Sequence, residues 1–301
     1  MWFWLSVAAL LLWSGSDLFS KLGCRDANDR YAPLKMVIAV GAVMGLHAAF
    51  EIFGSGVEIS WHVIWAYLPV SLLYIGSMLL GYIGLRYIEL SVSSPVCNSS
   101  GALVAILALL TGEAAYSVPM LLAVALICAG VIGLGVVEAR EDEALRAARQ
   151  EASNFRYAKS WLALALPVAY CLLDAAGTFA DSRVLMTLDE DAANCAYELT
   201  FLLAAAVCLL YVCVIKKDRL TVKTEAPKFV GAVFETAGQL AYIYAIADTA
   251  HLALSAPIIS AYCAVSVLWS RIFLKERLSR KHYAMLALVF AGIVILGMLD
   301  V

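Results

Sequence analysis

The sequence predicts an all-α integral membrane protein with ten transmembrane helices, arranged as two inverted five-helix repeats. Three observations predict this fold class. The chain is 63% hydrophobic and only 15% charged, with a mean hydropathy of +0.86. Apolar runs of spanning length recur along it, and motifs of the first half return in the second. A soluble domain carries roughly 25% charged residues, so this composition indicates that hydrocarbon is the solvent for most of the chain.

Ten apolar runs have the length of about 20 residues that an α-helix needs to cross the hydrocarbon core. They cover residues 2–22, 33–53, 62–86, 93–111, 118–138, 160–181, 195–215, 228–247, 250–271 and 282–299. The first run has no basic segment before its apolar core, and an acid follows that core. We therefore interpret it as the first span and not as a signal peptide.

The two halves of the chain share a set of motifs in the same order. The matching pairs are Trp13 and Tyr170, Asp17 and Asp174, Pro95 and Pro257, Glu113 and Glu276, and Gly130 and Gly292. We predict a first repeat over residues 1–138 and a second over 160–301. Residues 139–159 alternate charges and are predicted to be a solvated cytoplasmic linker. Because each half has an odd number of spans, the second must be inverted relative to the first.

Each half also has a proline near the start of its fourth span, a long apolar run, a Gly-Glu or Lys-Glu pair and a glycine-rich last span. With these motifs in this order, the chain resembles the EamA family of the drug/metabolite transporter superfamily over essentially its whole length. The resemblance implies a ten-helix carrier of small solutes, usually an exporter or an exchanger. It does not identify the solute.

Basic residues are distributed unevenly among the predicted loops. Every Lys and Arg except Arg183 falls in or beside an odd-numbered loop. Since cytoplasmic loops carry the excess of positive charge, this distribution predicts that both termini face outside, although members of the family are usually described with cytoplasmic termini. We expect a multi-pass protein of the plasma membrane, surrounded by lipid. The net charge of −3 gives no indication of a nucleic-acid partner.

Carboxylates inside spans are costly and mark functional sites by default. The candidates for solute or proton binding are Asp17, Asp174, Glu198 and Glu235. Asp17 has two open interpretations, a structural ion pair with Lys21 or a binding site. Glu198 also has two, because a position near the outer surface would leave it simply solvated.

Polar neighbours at helical spacing put each of these acids on a polar face of its helix. The four stripes are Ser14, Asp17 and Lys21; Tyr170, Asp174, Thr178 and Asp181; Asp191, Asn194 and Glu198; and Glu235, Gln239 and Tyr242. Such faces must look at a neighbouring helix or at a wet cavity.

Further candidates for the cavity wall are Trp13, Tyr170, Tyr242, Gln239 and Asn98, because cations bind over aromatic faces and polar groups orient a solute. The alternative for Tyr and Trp is that they form a belt at the interface between membrane and water. Pro95 and Pro257 each remove a backbone donor within a span and are predicted to be hinges. The alternative is a kink that serves only packing.

Other features are assigned no chemistry. His47 and His62 are isolated, and we predict no role for them. Small residues at Ala125, Ala129 and Gly133 favour close helix contact, either between the halves or in a homodimer. No motif for nucleotides, nucleophilic catalysis or dinucleotides is present, so we expect no enzyme activity, metal or cofactor.

The sequence therefore favours a secondary active transporter of a small, amine-bearing metabolite or drug that works by alternating access and antiport. Two alternatives remain open. One is a carrier of a neutral or anionic metabolite such as an amino acid, in which the acids would be structural. The other is a polytopic membrane protein that transports nothing.

Overall fold

The computed structural model describes residues 1–24, 26, 29–87, 90–111, 116–140, 161–275 and 278–299. The secondary-structure elements in these ranges are helices. Glu113, Glu276 and most of the predicted linker 139–159 lie outside the described residues.

The described part of the first half contains six helices. They are α1 (Trp2–Cys24), α2 (Ala32–Phe50, continued by a π-helical turn over Glu51–Ser55), α3 (Trp61–Tyr87), α4 (Leu90–Cys97), α5 (Ser100–Thr111) and α6 (Val118–Ala139). Six more helices lie in the described residues of the second half. They are α7 (Trp161–Val184), α8 (Glu190–Leu209, continued by a π-helical turn over Leu210–Ile215), α9 (Val222–Ala247), α10 (Leu252–Ser260), α11 (Tyr262–Phe273) and α12 (Arg280–Leu299).

Nine segments of the described ranges are long and apolar enough to cross a membrane. They correspond to nine of the predicted runs, with α4 and α5 together forming one span and α10 and α11 another. Helix α7 covers the remaining predicted run, 160–181, but is not among the nine. The multi-pass α-helical fold is therefore confirmed, whereas the count of ten spans stays a prediction.

Contacts between the two halves follow a reciprocal pattern. Helix α1 packs on α9 and α3 on α7, while α2 packs on α8, α5 on α10 and α6 on α12. Thus the first span of each half contacts the third span of the other, and the second, fourth and fifth spans contact their counterparts. Large apolar side chains such as Leu110, Leu122 and Leu203 are exposed on the outside of the bundle, as hydrocarbon solvent requires.

Two matching glycines bring α6 and α12 into close contact. A Cβ on Gly130 would lie 2.8 Å from the Met285 carbonyl oxygen, and one on Gly292 would lie 2.7 Å from the Ala123 carbonyl oxygen. Small residues at a helix interface allow the backbones to approach in this way. Of the predicted stripe, Gly133 also lies at this contact, whereas Ala125 and Ala129 are exposed on the outside, and a contact between two copies of the chain stays a prediction.

Each fourth span is interrupted a few residues after its proline. Helix α4 contains Pro95 and ends at Cys97, and α10 contains Pro257 and ends at Ser260. Proline cannot donate to the carbonyl one turn earlier, which weakens the helix there. Side chains take over part of the hydrogen bonding at the first break, where Ser99 Oγ donates to the Pro95 carbonyl at 2.9 Å. The two prolines thus mark matching breaks.

The bundle has two ends, a basic end and a terminal end. At the basic end, α1 finishes and α2 and α9 begin, and Lys35 and Lys228 form ion pairs there with Asp29 and Glu225. At the terminal end, α1 begins and α12 finishes, and the Trp2 ring stacks on His251 with centroids 5.0 Å apart.

Candidate functional site: an acidic cavity between the halves

A cavity of about 90 Å³ lies between helices of both halves, large enough for several water molecules. Every residue predicted for binding except Glu198 lines it. These residues are Trp13, Asp17, Asn98, Tyr170, Asp174, Glu235, Gln239 and Tyr242. The two predicted hinge residues, Pro95 and Pro257, are not among the lining residues, although Ser94 and Ala256 next to them are.

Asp17 and Asp174 occupy matching positions on α1 and α7, and both bind serines near the broken spans. Asp17 Oδ2 accepts hydrogen bonds from Ser94 Oγ at 2.5 Å and from Ser266 Oγ at 2.8 Å. Asp174 Oδ2 accepts one from Ser100 Oγ at 2.6 Å. Both aspartates remain partly exposed on the cavity side, so each can receive a further ligand.

The described contacts of Asp17 are with serines and do not include the alternative ion pair with Lys21. The Lys21 Nζ donates to the Leu85 carbonyl oxygen at 2.9 Å, on the neighbouring helix α3. Asn98 Nδ2 donates to Ser94 Oγ at 3.3 Å, and Ser94 in turn donates to Asp17. Asn98 therefore acts on the carboxylate through Ser94.

Glu235 is the third acid of the cavity and comes from α9. The Ser16 hydroxyl interacts with its carboxylate, and Asp17 and Asp174 act on it electrostatically. The Trp13 indole donates to the backbone oxygen of Glu235 at 3.4 Å. Among the described residues that line the cavity, Asp17, Asp174 and Glu235 are the charged ones, so the site is electrically negative unless protons or a cation are bound.

Aromatic rings form much of the remaining wall. The Trp13 ring lies 4.9 Å from the Tyr242 ring and 5.9 Å from the Tyr262 ring, measured between centroids. Tyr170 lines the cavity from α7, where its ring contacts the backbone at Gly81 of α3. These residues are inside the bundle, so they are not interfacial belt residues.

A cluster of tyrosines around a buried aspartate lies on the side of the cavity toward the terminal end; we call it the tyrosine barrier. Asp181 Oδ1 accepts from Tyr67 Oη at 2.7 Å and Oδ2 from Tyr74 Oη at 3.2 Å. The Tyr74 and Tyr242 hydroxyls are hydrogen-bonded to each other, and both reach Thr178 Oγ1. Tyr67 and Asp181 are fully buried.

Sequence reasoning placed Asp181 in the polar stripe of α7 but assigned it no role. The polar residues at i, i+4, i+8 and i+11 were the available signal, because they continue the face of Asp174 toward the terminal end. Nothing local predicts the tyrosines as its partners, since Tyr67 and Tyr74 belong to α3, more than a hundred positions earlier.

Glu198 does not line the cavity, and the interpretation that it is solvated near the surface is also wrong. It is fully buried between α8 and α2, where its carboxylate contacts His47 Nδ1 at 2.9 Å and accepts from Asn194 Nδ2 at 3.2 Å. His47 also approaches Glu51 at 3.6 Å. The expectation that His47 is isolated was therefore wrong as well. The stripe of α8 faces a neighbouring helix and not the cavity.

No group of three or more His, Cys, Asp or Glu side chains in the described ranges could hold a metal ion. The acids of the cavity instead bind serine hydroxyls. The site can thus offer carboxylates, hydroxyls and aromatic faces to a small solute, or carboxylates to protons.

These observations define a multi-pass α-helical membrane protein with an acidic cavity between its two halves. Residues 191–298 match the model of the EamA-like transporter family, which confirms the resemblance predicted from the sequence over this part of the second half. A solved crystal structure of a protein aligns with 99% of this chain and 98% of its own, at a TM-score of 0.66 and 17% identity, which shows a shared fold. Comparison with curated proteins gives no match.

Proposed function

We propose that this protein is a secondary active transporter, an exporter or exchanger in the plasma membrane, that moves a small amine-bearing metabolite or drug by alternating access. The observation that carries the proposal is the charge of the cavity, which Asp17, Asp174 and Glu235 provide without a basic side chain among its described lining residues. A cation is the solute that such a site favours. The faces of Trp13 and Tyr242 add cation–π attraction.

Competition at the carboxylates would couple the solute to protons. An isolated carboxylate anion is costly in a site of low dielectric constant, and either a proton or a bound ammonium group removes that cost. The amine and the proton therefore compete for Glu235 and Asp174. If the solute displaces a proton as it binds and a proton displaces the solute at the other face, the result is antiport that needs no nucleotide.

Alternating access requires that the cavity open at one end of the bundle at a time. The lining extends toward the basic end through Ser20 and Leu85, whereas the tyrosine barrier lies across the terminal end. The reciprocal pairing of helices supports an inverted-repeat arrangement, in which the breaks after Pro95 and Pro257 would act as hinges.

The orientation follows from the charges at the basic end. Cytoplasmic ends are rich in Lys and Arg, so we propose that the basic end faces the cytoplasm and that both termini face outside. A reporter fused to the C-terminus tests this assignment. Activity of a reporter that functions only in the cytoplasm would reverse it.

Proteoliposomes with an imposed pH gradient test the transport proposal, with phenethylamine as the probe. We expect the wild-type protein to move phenethylamine against the proton flux, and the double variant Asp174→Asn, Glu235→Gln to lose this pH-driven movement. Glu198→Gln is the matched control, because it also removes a buried carboxylate but lies outside the cavity. Normal coupling in the double variant would remove both residues from the mechanism.

The same liposomes separate the proposal from its alternatives. Movement of neutral or anionic metabolites, with none of the amine, would leave the acids a structural role. A protein that moves no solute in either direction would not be a transporter. The predicted homodimer is tested by the mass of the purified protein in nanodiscs.

A further inference from the structure

Three polar side chains of the cavity wall are buried without a hydrogen-bond partner in the described structure. They are Ser20 through its hydroxyl, Tyr82 through its hydroxyl and Gln239 through its amide nitrogen. Their exposed fractions are 1%, 6% and 3%. Buried polar groups are nearly always hydrogen-bonded, and leaving one unpaired destabilises the folded protein. All three line the cavity, so a bound molecule can reach them.

These groups surround Glu235, and we call them the donor collar. Gln239 follows Glu235 on α9 by one helical turn, toward the terminal end. Ser20 lies on α1 beside Gly231, one turn before Glu235 on the basic side. Tyr82 projects from α3 within electrostatic range of Glu235. A molecule whose ammonium group pairs with Glu235 therefore has unpaired donors within reach on either side.

The chemistry of the collar differs from that of the acids. Hydroxyl and amide N–H groups can donate to an oxygen of the solute, which the carboxylates cannot do when ionised. A carboxylate on the solute would meet Asp17, Asp174 and Glu235 in the same cavity, and like charges in a site of low dielectric constant repel strongly. A neutral oxygen, such as a hydroxyl or a carbonyl, fits both sets of groups.

We infer that Ser20, Tyr82 and Gln239 form a subsite for a neutral oxygen of the solute, and that the preferred solute is a hydroxylated or carbonyl-bearing amine. The inference rests on the proposed function, because the ammonium group must first be held by the acids. Such a subsite selects against simple alkyl- and arylalkylamines, which leave the donors of the collar unpaired, and against zwitterions, which add a negative charge.

Three probes with the same phenyl skeleton test the subsite: phenethylamine, phenylethanolamine and phenylalanine. Binding to the purified protein is measured by isothermal titration calorimetry. We expect phenylethanolamine to bind about tenfold more tightly than phenethylamine, the effect of one well-placed hydrogen bond, and phenylalanine to bind weakest. Tyr82→Phe and Gln239→Met should each reduce the preference for the hydroxyl, measured as the ratio of the two dissociation constants in the same variant.

Thr236→Val is the matched control, because its hydroxyl lies on the same helix but donates to the Ala232 carbonyl at 2.9 Å. This variant should keep the preference. An unchanged preference in both collar variants overturns the inference while leaving the proposed function intact. Tightest binding by phenylalanine overturns the inference and favours the alternative of an amino-acid carrier. If neither amine binds to the wild-type protein, the proposed function fails, and this inference fails with it.

Discussion

The hydroxyls of Tyr74 and Tyr242 are hydrogen-bonded to each other and join α3 of the first half to α9 of the second. Tyr74 also donates to Asp181, at 3.2 Å, so the pair is anchored to α7. Both tyrosines line the cavity on one side and face buried Asp181 on the other. This relationship makes the tyrosine barrier the shared boundary between the two halves at the terminal end.

The first prediction is that Tyr74→Phe loosens this barrier. The change keeps the ring but removes a hydroxyl that contacts Thr178, Asp181 and Tyr242. We expect a loss of about 1–3 kcal/mol in the free energy of unfolding and more frequent opening at the terminal end. The measurement is the rate at which a maleimide labels a cysteine introduced at Ser71, a fully buried position of α3.

Tyr211→Phe is the control for this experiment, since its ring lies on the partly exposed surface of the segment after α8. Labelling of the cysteine at position 71 should rise with Tyr74→Phe and stay at the parent rate with Tyr211→Phe. Equal rates in all three proteins would show that Tyr74 does not control access from this end.

The second prediction is that replacing Glu198 reduces the stability of the protein without changing solute binding. Its contact with His47 Nδ1 at 2.9 Å connects α8 to α2 away from the cavity. We expect Glu198→Gln to lower the free energy of unfolding by about 1–3 kcal/mol and to leave the affinity for phenethylamine unchanged. A double-mutant cycle with His47→Gln measures the coupling between the two side chains. A lower amine affinity without a loss of stability would be inconsistent with this assignment.

Patterns within one helix predict part of the site from the sequence, whereas contacts between distant residues appear only in the structure. A carboxyl group in an apolar run cannot face lipid, and helical spacing identifies the side chains that share its face. Asp17, Asp174 and Glu235 were expected on this basis to face a cavity or a neighbouring helix, and all three line the cavity. It also predicted that Glu198 faces protein, but it cannot distinguish a cavity from a neighbouring helix. His47 is 151 positions away from Glu198 in the chain, so only the packing of α2 on α8 reveals the pair.

The fold, like the site, was predictable from the sequence only where it depends on residues that are close together in the chain. Hydrophobic runs predicted the helical spans and prolines predicted the breaks, since both effects act within a single segment. Asp181 and Tyr67 illustrate the limit. Each was visible as a polar residue in a span, yet the tyrosine barrier exists because α3 packs on α7. Unpaired collar groups such as Gln239 are likewise a property of the assembled cavity.

The third prediction tests the contact between the last spans of the two halves. A Cβ on Gly292 would lie 2.7 Å from the Ala123 carbonyl oxygen, so Gly292→Ala must push α12 away from α6. We expect a loss of about 1–3 kcal/mol in the free energy of unfolding, measured by chemical denaturation in mixed micelles. Gly76→Ala serves as the control, because its Cβ would meet only Leu173, at 3.8 Å. Equal stability of the two variants would argue against close packing at Gly292.

The fourth prediction concerns the ion pairs of the basic end. Lys35 is only 6% exposed and contacts Asp29, Asp218 and Glu225 at 3.1, 3.0 and 3.7 Å. We expect Lys35→Met to lower the free energy of unfolding by about 3 kcal/mol, because it leaves partly buried acids without their cation. The exposed Lys223→Met is the control and should change stability little. A small effect at Lys35 would mean that Lys228 alone neutralises the cluster.

The last prediction is the pH dependence of this same cluster. The hydrogen bond from Lys35 lowers the pKa of Asp218 below its ordinary value of 3.8. A lowered pKa in the folded state means that ionised Asp218 stabilises the protein above about pH 3.8, and that this contribution is lost as the pH falls through the folded-state pKa. Asp218→Asn should therefore lower the midpoint of thermal unfolding at pH 7 and have a smaller effect at pH 3. A destabilisation that is the same at both pH values would show that Asp218 acts through its shape or its hydrogen bonds and not through its charge.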